Sequence, residues 1–309
     1  MPLDPEVQQL LDQMNAAQAP PMETCTPEEA RQQMDAASVL LGEGPELAEV
    51  VTMHVAGPGG ELPIRVYRPT KQEGRPAIVY FHGGGWVLGS IQTHDAYCRQ
   101  LALESNMVIF SVDYRLAPEH VFPAAAEDAY AAVQWVAQHA AEFGGNPQRL
   151  AVAGDSAGGN LAAVAALMVR DRGGPRLSFQ LLIYPITDSR LDRRSYAAFG
   201  EGYHLTRAAM QWFWEMYVPQ AADRTKPYAA PFRAFDLSQL PPACIVTAEY
   251  DPLCEEGAAF AKRLQASGVR TELLPYDGMI HGFVRRTRFL ARARTCLTDL
   301  AQRLRAALD

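Results

Sequence analysis

Eight apolar runs of strand length lie along the chain. They begin at Val50, Leu62, Ala77, Met107, Leu150, Phe179, Ala243 and Thr271. From Ala77 onward the runs are short, continuous and rich in valine and isoleucine, which is typical of strands buried on both faces of a parallel sheet. The first two runs alternate more between polar and apolar residues, and this favours an antiparallel edge.

Helical patterns separate most of these runs, at about 94–104, 124–140, 157–171, 256–267 and 288–307. Because strand and helix alternate along the chain, the pattern predicts an α/β protein. We expect a mostly parallel, eight-stranded, doubly wound sheet flanked by helices.

Two segments do not fit this alternation. The first, from Pro5 to about Leu41, has amphipathic helical patterning, and Thr26 followed by proline and two acidic residues predicts a helix start. The second lies between Tyr184 and Ala243 and is longer than a plain crossover requires. We expect the second segment to be a cap over the carboxyl edge of the sheet. Its aromatic cluster either forms the cap's own core or lines a substrate pocket: Trp212, Phe213, Trp214 and Tyr217.

Composition narrows the class of protein. The 309 residues are 48% hydrophobic and 20% charged, with a net charge of −7, which argues against binding to nucleic acid or to an anionic membrane surface. Five cysteines without a C-x-x-C motif disfavour a disulfide framework or a zinc site and fit a reducing compartment. The sequence shows no signal-peptide pattern and no apolar run of membrane-spanning length, so the expected location is the cytoplasm.

Ser156 is the first candidate for chemistry. It lies in G-D-S-A-G, between the strand-like run LAVAG and the helical pattern AGGNLAAVAALMVR. A nucleophile elbow needs this context, because a sharp strand-to-helix turn exposes the serine oxygen and small neighbours allow close approach. The alternative is a serine that only caps the helix.

A serine nucleophile requires a base and an acid to orient it. When base and acid follow the serine in the chain, only His204 and His281 are available as the base. His281 comes after the last strand-like run and is the better candidate, since His204 lies within the long insertion. Asp251 directly follows the run ACIVTAEY and is the expected acid; the competing residues are Asp277, Glu249 and Asp188.

The segment HGGGW, which follows the run AIVYF, supplies a candidate oxyanion hole. Consecutive glycines let backbone N–H groups turn toward one point. We expect Gly83 and Gly84 to donate, together with Ala157, and His82 to brace the loop. A flexible glycine loop is the alternative, whereas the chain carries neither a P-loop ending nor a dinucleotide-binding G-x-G-x-x-G. It also lacks H-E-x-x-H, and we expect no metal site.

Taken together, HGGGW, DYRLAPEHVFPAA, GDSAGGNLAA, DPLCEEG and HGF resemble the bacterial hormone-sensitive-lipase family of carboxylesterases, from about residue 45 to the end of the chain. The resemblance implies an α/β-hydrolase fold with a helical cap from residues 1–45 and 188–225. Residues 46–187 and 226–309 would form the catalytic domain.

The same resemblance implies a serine hydrolase without a cofactor that acts on small esters of short to medium acyl chains, as a monomer or a homodimer. Ser156, Asp251 and His281 would be catalytic. Weaker candidates for the pocket wall are Trp86, Tyr184, Phe199, Tyr203, Leu205 and Trp212. Lipase, lactonase or amidase action on the same scaffold stays open, as does a non-catalytic small-molecule receptor.

Overall fold

The computed structural model describes residues 2–309. Eight strands form one sheet: β1 (Glu49–Gly57), β2 (Gly60–Arg68), β3 (Arg75–Phe81), β4 (Val108–Val112), β5 (Gly145–Asp155), β6 (Phe179–Ile183), β7 (Ala243–Tyr250) and β8 (Thr271–Ile280). Their order in the sheet is β1-β2-β4-β3-β5-β6-β7-β8. β1 pairs with β2, and β2 with β4, in the antiparallel direction, and all other pairs are parallel. The predicted sheet and its antiparallel edge are confirmed.

The α-helices within residues 2–309 are α1 (Pro5–Ala16), α2 (Pro27–Val39), α3 (Asp95–Ser105), α4 (Ala124–His139), α5 (Ala157–Arg172), α6 (Arg194–Phe199), α7 (Arg207–Tyr217), α8 (Cys254–Ala266) and α9 (Ala291–Leu308). The last helix begins three residues later than predicted, because Phe289 and Leu290 still donate to the Arg286 carbonyl in a turn. From Pro2 to Asp309, no helix combines the length and apolar character needed to cross a bilayer.

Both faces of the sheet are covered, as its apolar strands require. In β3, Val79 and Phe81 belong to the core that packs against α4, α5 and α8. Ile78 and Tyr80 alternate with them and belong to the opposite core, against α3 and α9. Because the strands β3 to β8 pair in the parallel direction, their carboxyl ends lie along one edge of the sheet.

The amino-terminal arm and the long insertion between β6 and β7 contact each other and the rest of the protein. α2 begins where the sequence predicts a helix start, and Thr26 and Glu29 form a reciprocal capping box there. The Thr206 hydroxyl at the start of α7 donates to Glu23, over 3.2 Å. Arg31 on α2 donates to the carbonyl of Val87, over 2.9 Å, in the loop that follows the glycines. The amino-terminal arm and the long insertion therefore lie on the same side as the glycine loop.

Candidate active site

Ser156 occupies the turn between β5 and α5 with φ of 57° and ψ of −118°, a backbone conformation that side chains rarely adopt. Its neighbours must be glycines: a Cβ on Gly158 would lie 1.9 Å from the Phe81 carbonyl oxygen, and one on Gly154 would lie 2.3 Å from the Gly158 carbonyl oxygen. Ser156 stands at the N-cap position of α5, yet its side chain makes no capping hydrogen bond. The hydroxyl is therefore free for another partner.

That partner is His281, which directly follows β8. The Nε2 atom of His281 lies 2.9 Å from Ser156 Oγ. Its Nδ1 atom lies 2.6 Å from Oδ2 of Asp251, the residue after β7. Asp251 is completely buried, and its other oxygen accepts the Leu253 N–H at 2.8 Å. Hydroxyl, imidazole and carboxylate thus form one hydrogen-bonded line built from the ends of three strands.

The competing acids have other environments. Asp277 is exposed. Glu249 accepts the backbone N–H of Gly278, over 2.7 Å. Asp188 is buried beneath three arginines, with Arg233 Nε 2.8 Å from Oδ1. Of the four candidate acids, Asp251 is the one that the structure brings to the imidazole of His281.

The glycine loop corrects one expectation. The Gly83 N–H donates to Oδ1 of Asp155 at 3.0 Å and also faces His94 Nε2 at 3.2 Å. The same Asp155 oxygen accepts the Tyr80 hydroxyl at 2.7 Å. The expectation that Gly83 donates to an oxyanion is therefore wrong, because its N–H is already bound inside the protein.

Two other glycines of the loop have N–H groups that are available as donors. Gly84 and Gly85 have φ of 125° and 60°, which only glycine adopts without strain. Within residues 2–309 the structure gives no hydrogen-bond acceptor to the N–H groups of Gly84, Gly85 and Ala157. The sequence analysis names Gly84 but not Gly85. The signal that could have pointed to Gly85 is Asp155, the residue before Ser156, because its buried carboxylate binds the N–H of the first glycine.

Buried charge holds this loop in place. Burial opposes ionisation of Asp155, but the charge and hydrogen bond of His94, with the charge of Arg285, hold the pKa of that carboxyl below its usual value. Burial and the neighbouring His94 lower the pKa of His82 to about 4, so His82 is neutral at pH 7. Its Nδ1 lies 2.9 Å from the Gly83 carbonyl, and its ring stacks on Tyr114 at 4.3 Å. As expected, His82 braces the loop.

Of the candidate pocket residues, Tyr184 lies beside His281, Phe199 and Tyr203 contact each other, and Trp86 belongs to the core. The Tyr184 ring lies 4.5 Å from the His281 ring, centroid to centroid. Phe199 and Tyr203 make an edge contact at 5.7 Å. Trp86 is completely buried and stacks on Tyr217 at 4.3 Å, in the core that joins α7 to the glycine loop.

On α7 and just before it, the other candidates are nearly buried. Leu205 is 6% exposed and Trp212 is 8% exposed. The ring of Phe213 leaves no room for a side chain on Gly85, since a Cβ there would lie 2.1 Å from it. For the aromatic cluster of α7, packing against the glycine loop accounts for Phe213, Trp214 and Tyr217. Among the residues that the structure describes, no group of histidine, cysteine and acidic side chains could hold a metal ion.

Comparison with known proteins identifies the class. A family model described as the α/β-hydrolase fold matches residues 78–285. A carboxylic ester hydrolase of Mycobacterium tuberculosis, LipN, is 43% identical over 273 residues, which cover 86% of this chain and 73% of the relative. An ethyl acetate hydrolase of Pseudomonas putida is 36% identical over 298 residues, covering 92% and 93% of the two chains.

Among solved structures, a hyperthermophilic esterase from the archaeon Pyrobaculum calidifontis superposes with a TM-score of 0.95 at 44% identity, over 99% of each chain. The chain belongs to the hormone-sensitive-lipase-like carboxylesterases of the α/β-hydrolase fold. It is a carboxylic ester hydrolase.

Proposed function

We propose that this protein is a serine carboxylesterase that hydrolyses esters of short to medium acyl chains through an acyl-enzyme intermediate. The observation that carries the proposal is the hydrogen-bonded line from Ser156 Oγ through His281 to Asp251, with distances of 2.9 and 2.6 Å. A serine hydroxyl becomes a competent nucleophile when such a base removes its proton during attack.

In the first half of the cycle, Ser156 Oγ attacks the ester carbonyl carbon while its proton passes to His281 Nε2. Asp251 holds the imidazole with Nδ1 protonated and stabilises the imidazolium that forms. The carbonyl electron pair moves onto oxygen. The tetrahedral species then expels the alcohol, which takes its proton from His281, and the acyl group remains on Ser156.

In the second half, water attacks the acyl-enzyme, and its proton passes to His281. Collapse of this second tetrahedral species releases the acid and returns a proton to Ser156. The charge on oxygen in both tetrahedral species would be stabilised by the N–H groups of Gly84, Gly85 and Ala157. These three amides support the assignment because no acceptor within residues 2–309 occupies them.

We further propose that residues 1–45 and 188–225 form a cap over this site, with residues 46–187 and 226–309 as the catalytic domain. Supporting contacts are those of Arg31 and Phe213 with the glycine loop. Ser156 and His281 are each only 8% exposed, which supports a covered site. The name of one relative, an ethyl acetate hydrolase, supports small esters as the substrates.

The Ser156→Ala variant tests the function. Its hydrolysis of p-nitrophenyl esters from acetate to palmitate should fall to background, while its unfolding temperature stays near that of the wild type. Ser267→Ala, at the end of α8, is the matched control and should keep wild-type rates. A lipase would prefer the emulsified long-chain esters, and a receptor would bind the esters without releasing product. Residual turnover in Ser156→Ala would overturn the assignment.

The cellular location and the oligomeric state can each be tested by a simple measurement. The five cysteines are free thiols, in keeping with the expected cytoplasmic location, which fractionation of the source cells would test. Gel filtration with light scattering would decide between a monomer and a homodimer.

A further inference from the structure

Arg286 is a partly buried cation close to the catalytic histidine. It lies in the turn between the residue pair His281–Gly282 and α9. Its Nη2 atom is 3.2 Å from Nε2 of His204, and its Nε atom is buried without a hydrogen-bond partner. Elsewhere in the described chain, arginines such as Arg115 and Arg172 pair with carboxylates. Arg286 makes no such ion pair within residues 2–309.

The surroundings of Arg286 disfavour its positive charge. Burial and the charge of Arg285 lower the pKa of the Arg286 guanidinium to about 10, so it is still charged at pH 7. Arg285 differs from it in two ways: it donates to the Thr93 carbonyl at 2.8 Å, and its charge acts on the buried Asp155 carboxylate. A desolvated arginine without an acid destabilises the fold unless an anion joins it.

His204 adds no charge of its own. Burial, with the positive charge of Arg286, lowers the pKa of His204 well below its usual value, so the ring is neutral at pH 7. Its Nε2 accepts from Arg286, which leaves the ring proton on Nδ1. The strained backbone of His204, with φ of 77°, holds the ring against Gly282, where an added Cβ would lie 3.8 Å from Nε2.

The hydroxyl of Tyr184 is a second buried polar group without a hydrogen-bond partner. Its side chain is only 1% exposed, yet its hydroxyl has no hydrogen-bond partner. The ring lies 4.5 Å from that of His281. An unsatisfied hydroxyl therefore belongs to a residue whose ring contacts the imidazole of His281.

We propose that Arg286 and His204 form a subsite near His281 that recognises a carboxylate carried by the ester substrate. The planar guanidinium fork fits a carboxylate, and a charged partner would satisfy the unpaired Nε atom of Arg286. This inference rests on the proposed esterase function and names its substrate class: small esters with a free acid group. The carboxylate belongs to the alcohol part or to the acyl part of the ester, and matched substrates separate the two.

The test compares each acid with its neutral amide. Acetoxyacetate and acetoxyacetamide place the group on the alcohol part, whereas monoethyl glutarate and ethyl glutaramate place it on the acyl part. For one of these pairs, Arg286→Gln should lower kcat/KM for the acid about ten- to a hundredfold more than for the amide, since hydrogen bonds to charged groups have this strength. Arg286→Lys, which keeps the charge, should retain more of the preference than Arg286→Gln.

Arg288→Gln is the matched control, because Arg288 is exposed two residues further along. It should leave the acid-to-amide ratios at wild-type values. Hydrolysis of the amides and thermal unfolding report whether each variant is folded, and Arg286→Met serves as a second uncharged variant. If the ratios for both pairs stay within twofold of wild type in Arg286→Gln and Arg286→Met, the subsite is wrong. If the wild type hydrolyses p-nitrophenyl acetate but none of the four esters, the subsite is wrong, whereas if it hydrolyses none of the five, the proposed function itself fails.

Discussion

Asp251 Oδ2 lies 2.6 Å from His281 Nδ1, and this contact joins the ends of two neighbouring strands, β7 and β8. Because Asp251 is fully buried, its carboxylate has no water to compete with the imidazole. The contact fixes which ring nitrogen carries the proton and leaves Nε2 facing Ser156.

Replacing Asp251 by Asn should lower kcat by about 10³- to 10⁴-fold with little change in KM, because an amide can hold the imidazole in the wrong tautomer. Asp277→Asn is the control, since Asp277 is exposed and close in sequence to His281. Steady-state kinetics on one p-nitrophenyl ester compares the two variants. A large loss in Asp277→Asn with none in Asp251→Asn would reverse the assignment of the acid.

Gly158→Ala should unfold the elbow. The new Cβ would meet the Phe81 carbonyl oxygen at 1.9 Å, and backbone atoms cannot move aside as a side chain can. We expect a loss of more than about 3 kcal/mol in the free energy of unfolding, or no folded protein. In Gly173→Ala, at φ of +67° with open space around it, the loss should be about 1 kcal/mol. Urea unfolding measures both, and equal losses would contradict the steric argument.

Glu256 should make stability depend on pH. It is completely buried, its Oε1 accepts the Thr187 N–H at 2.7 Å, and burial raises the pKa of its carboxyl to about 8. A folded-state pKa above the unfolded value means that the folded form holds the proton more tightly. The contribution of Glu256 to the free energy of unfolding is therefore complete below about pH 4.5. This contribution is lost as the pH rises toward 8.

Glu256→Gln, which imitates the protonated acid, provides the comparison. The free energy of unfolding of the wild type should fall relative to that of the variant between pH 5 and pH 9, by about 1.4 kcal/mol or more. Near pH 5 the two proteins should be similarly stable. Parallel stability curves over the whole range would show that Glu256 does not retain its proton in the folded state.

Arg31 should connect the amino-terminal arm to catalysis. It donates to the carbonyls of Val87 and Ala117 at 2.9 and 3.0 Å, and it also pairs with the exposed carboxylate of Glu119. Arg31→Gln removes all these bonds and should lower kcat severalfold by loosening the glycine loop. Glu119→Gln removes only the exposed pair and should change stability by less than about 1 kcal/mol. If both variants kept wild-type rates, the arm would have no part in holding the loop.

Much of the fold and of the candidate site was predictable from the sequence, and the wrong predictions have physical causes. The strands from Ala77 onward were predictable because burial on both faces leaves continuous apolar runs. The contact between Asp251 and His281 was predictable because parallel strands present their carboxyl ends at one edge. Gly83 was misassigned because the acceptor of its N–H, Asp155, lies 72 residues away in the chain.

The contact of Arg286 with His204 is another contact between distant residues that the sequence does not predict. The two residues are 82 positions apart, in a loop of the long insertion and in the turn before α9. Hydrophobic periodicity does not predict which loops contact each other, and an arginine or a histidine in a loop is not unusual by itself. Their packing reveals that a guanidinium without an acid contacts His204, next to the residue that follows His281.

Covalent labelling of Ser156 tests the central claim most directly. The protein is mixed with a p-nitrophenyl phosphonate, whose phosphorus a serine nucleophile attacks with loss of nitrophenolate, and peptides are sequenced by mass spectrometry. We predict one phosphonyl group per chain, on Ser156, formed in step with loss of esterase activity and absent from Ser156→Ala. An adduct on another residue, or complete inactivation with Ser156 unmodified, would contradict the account.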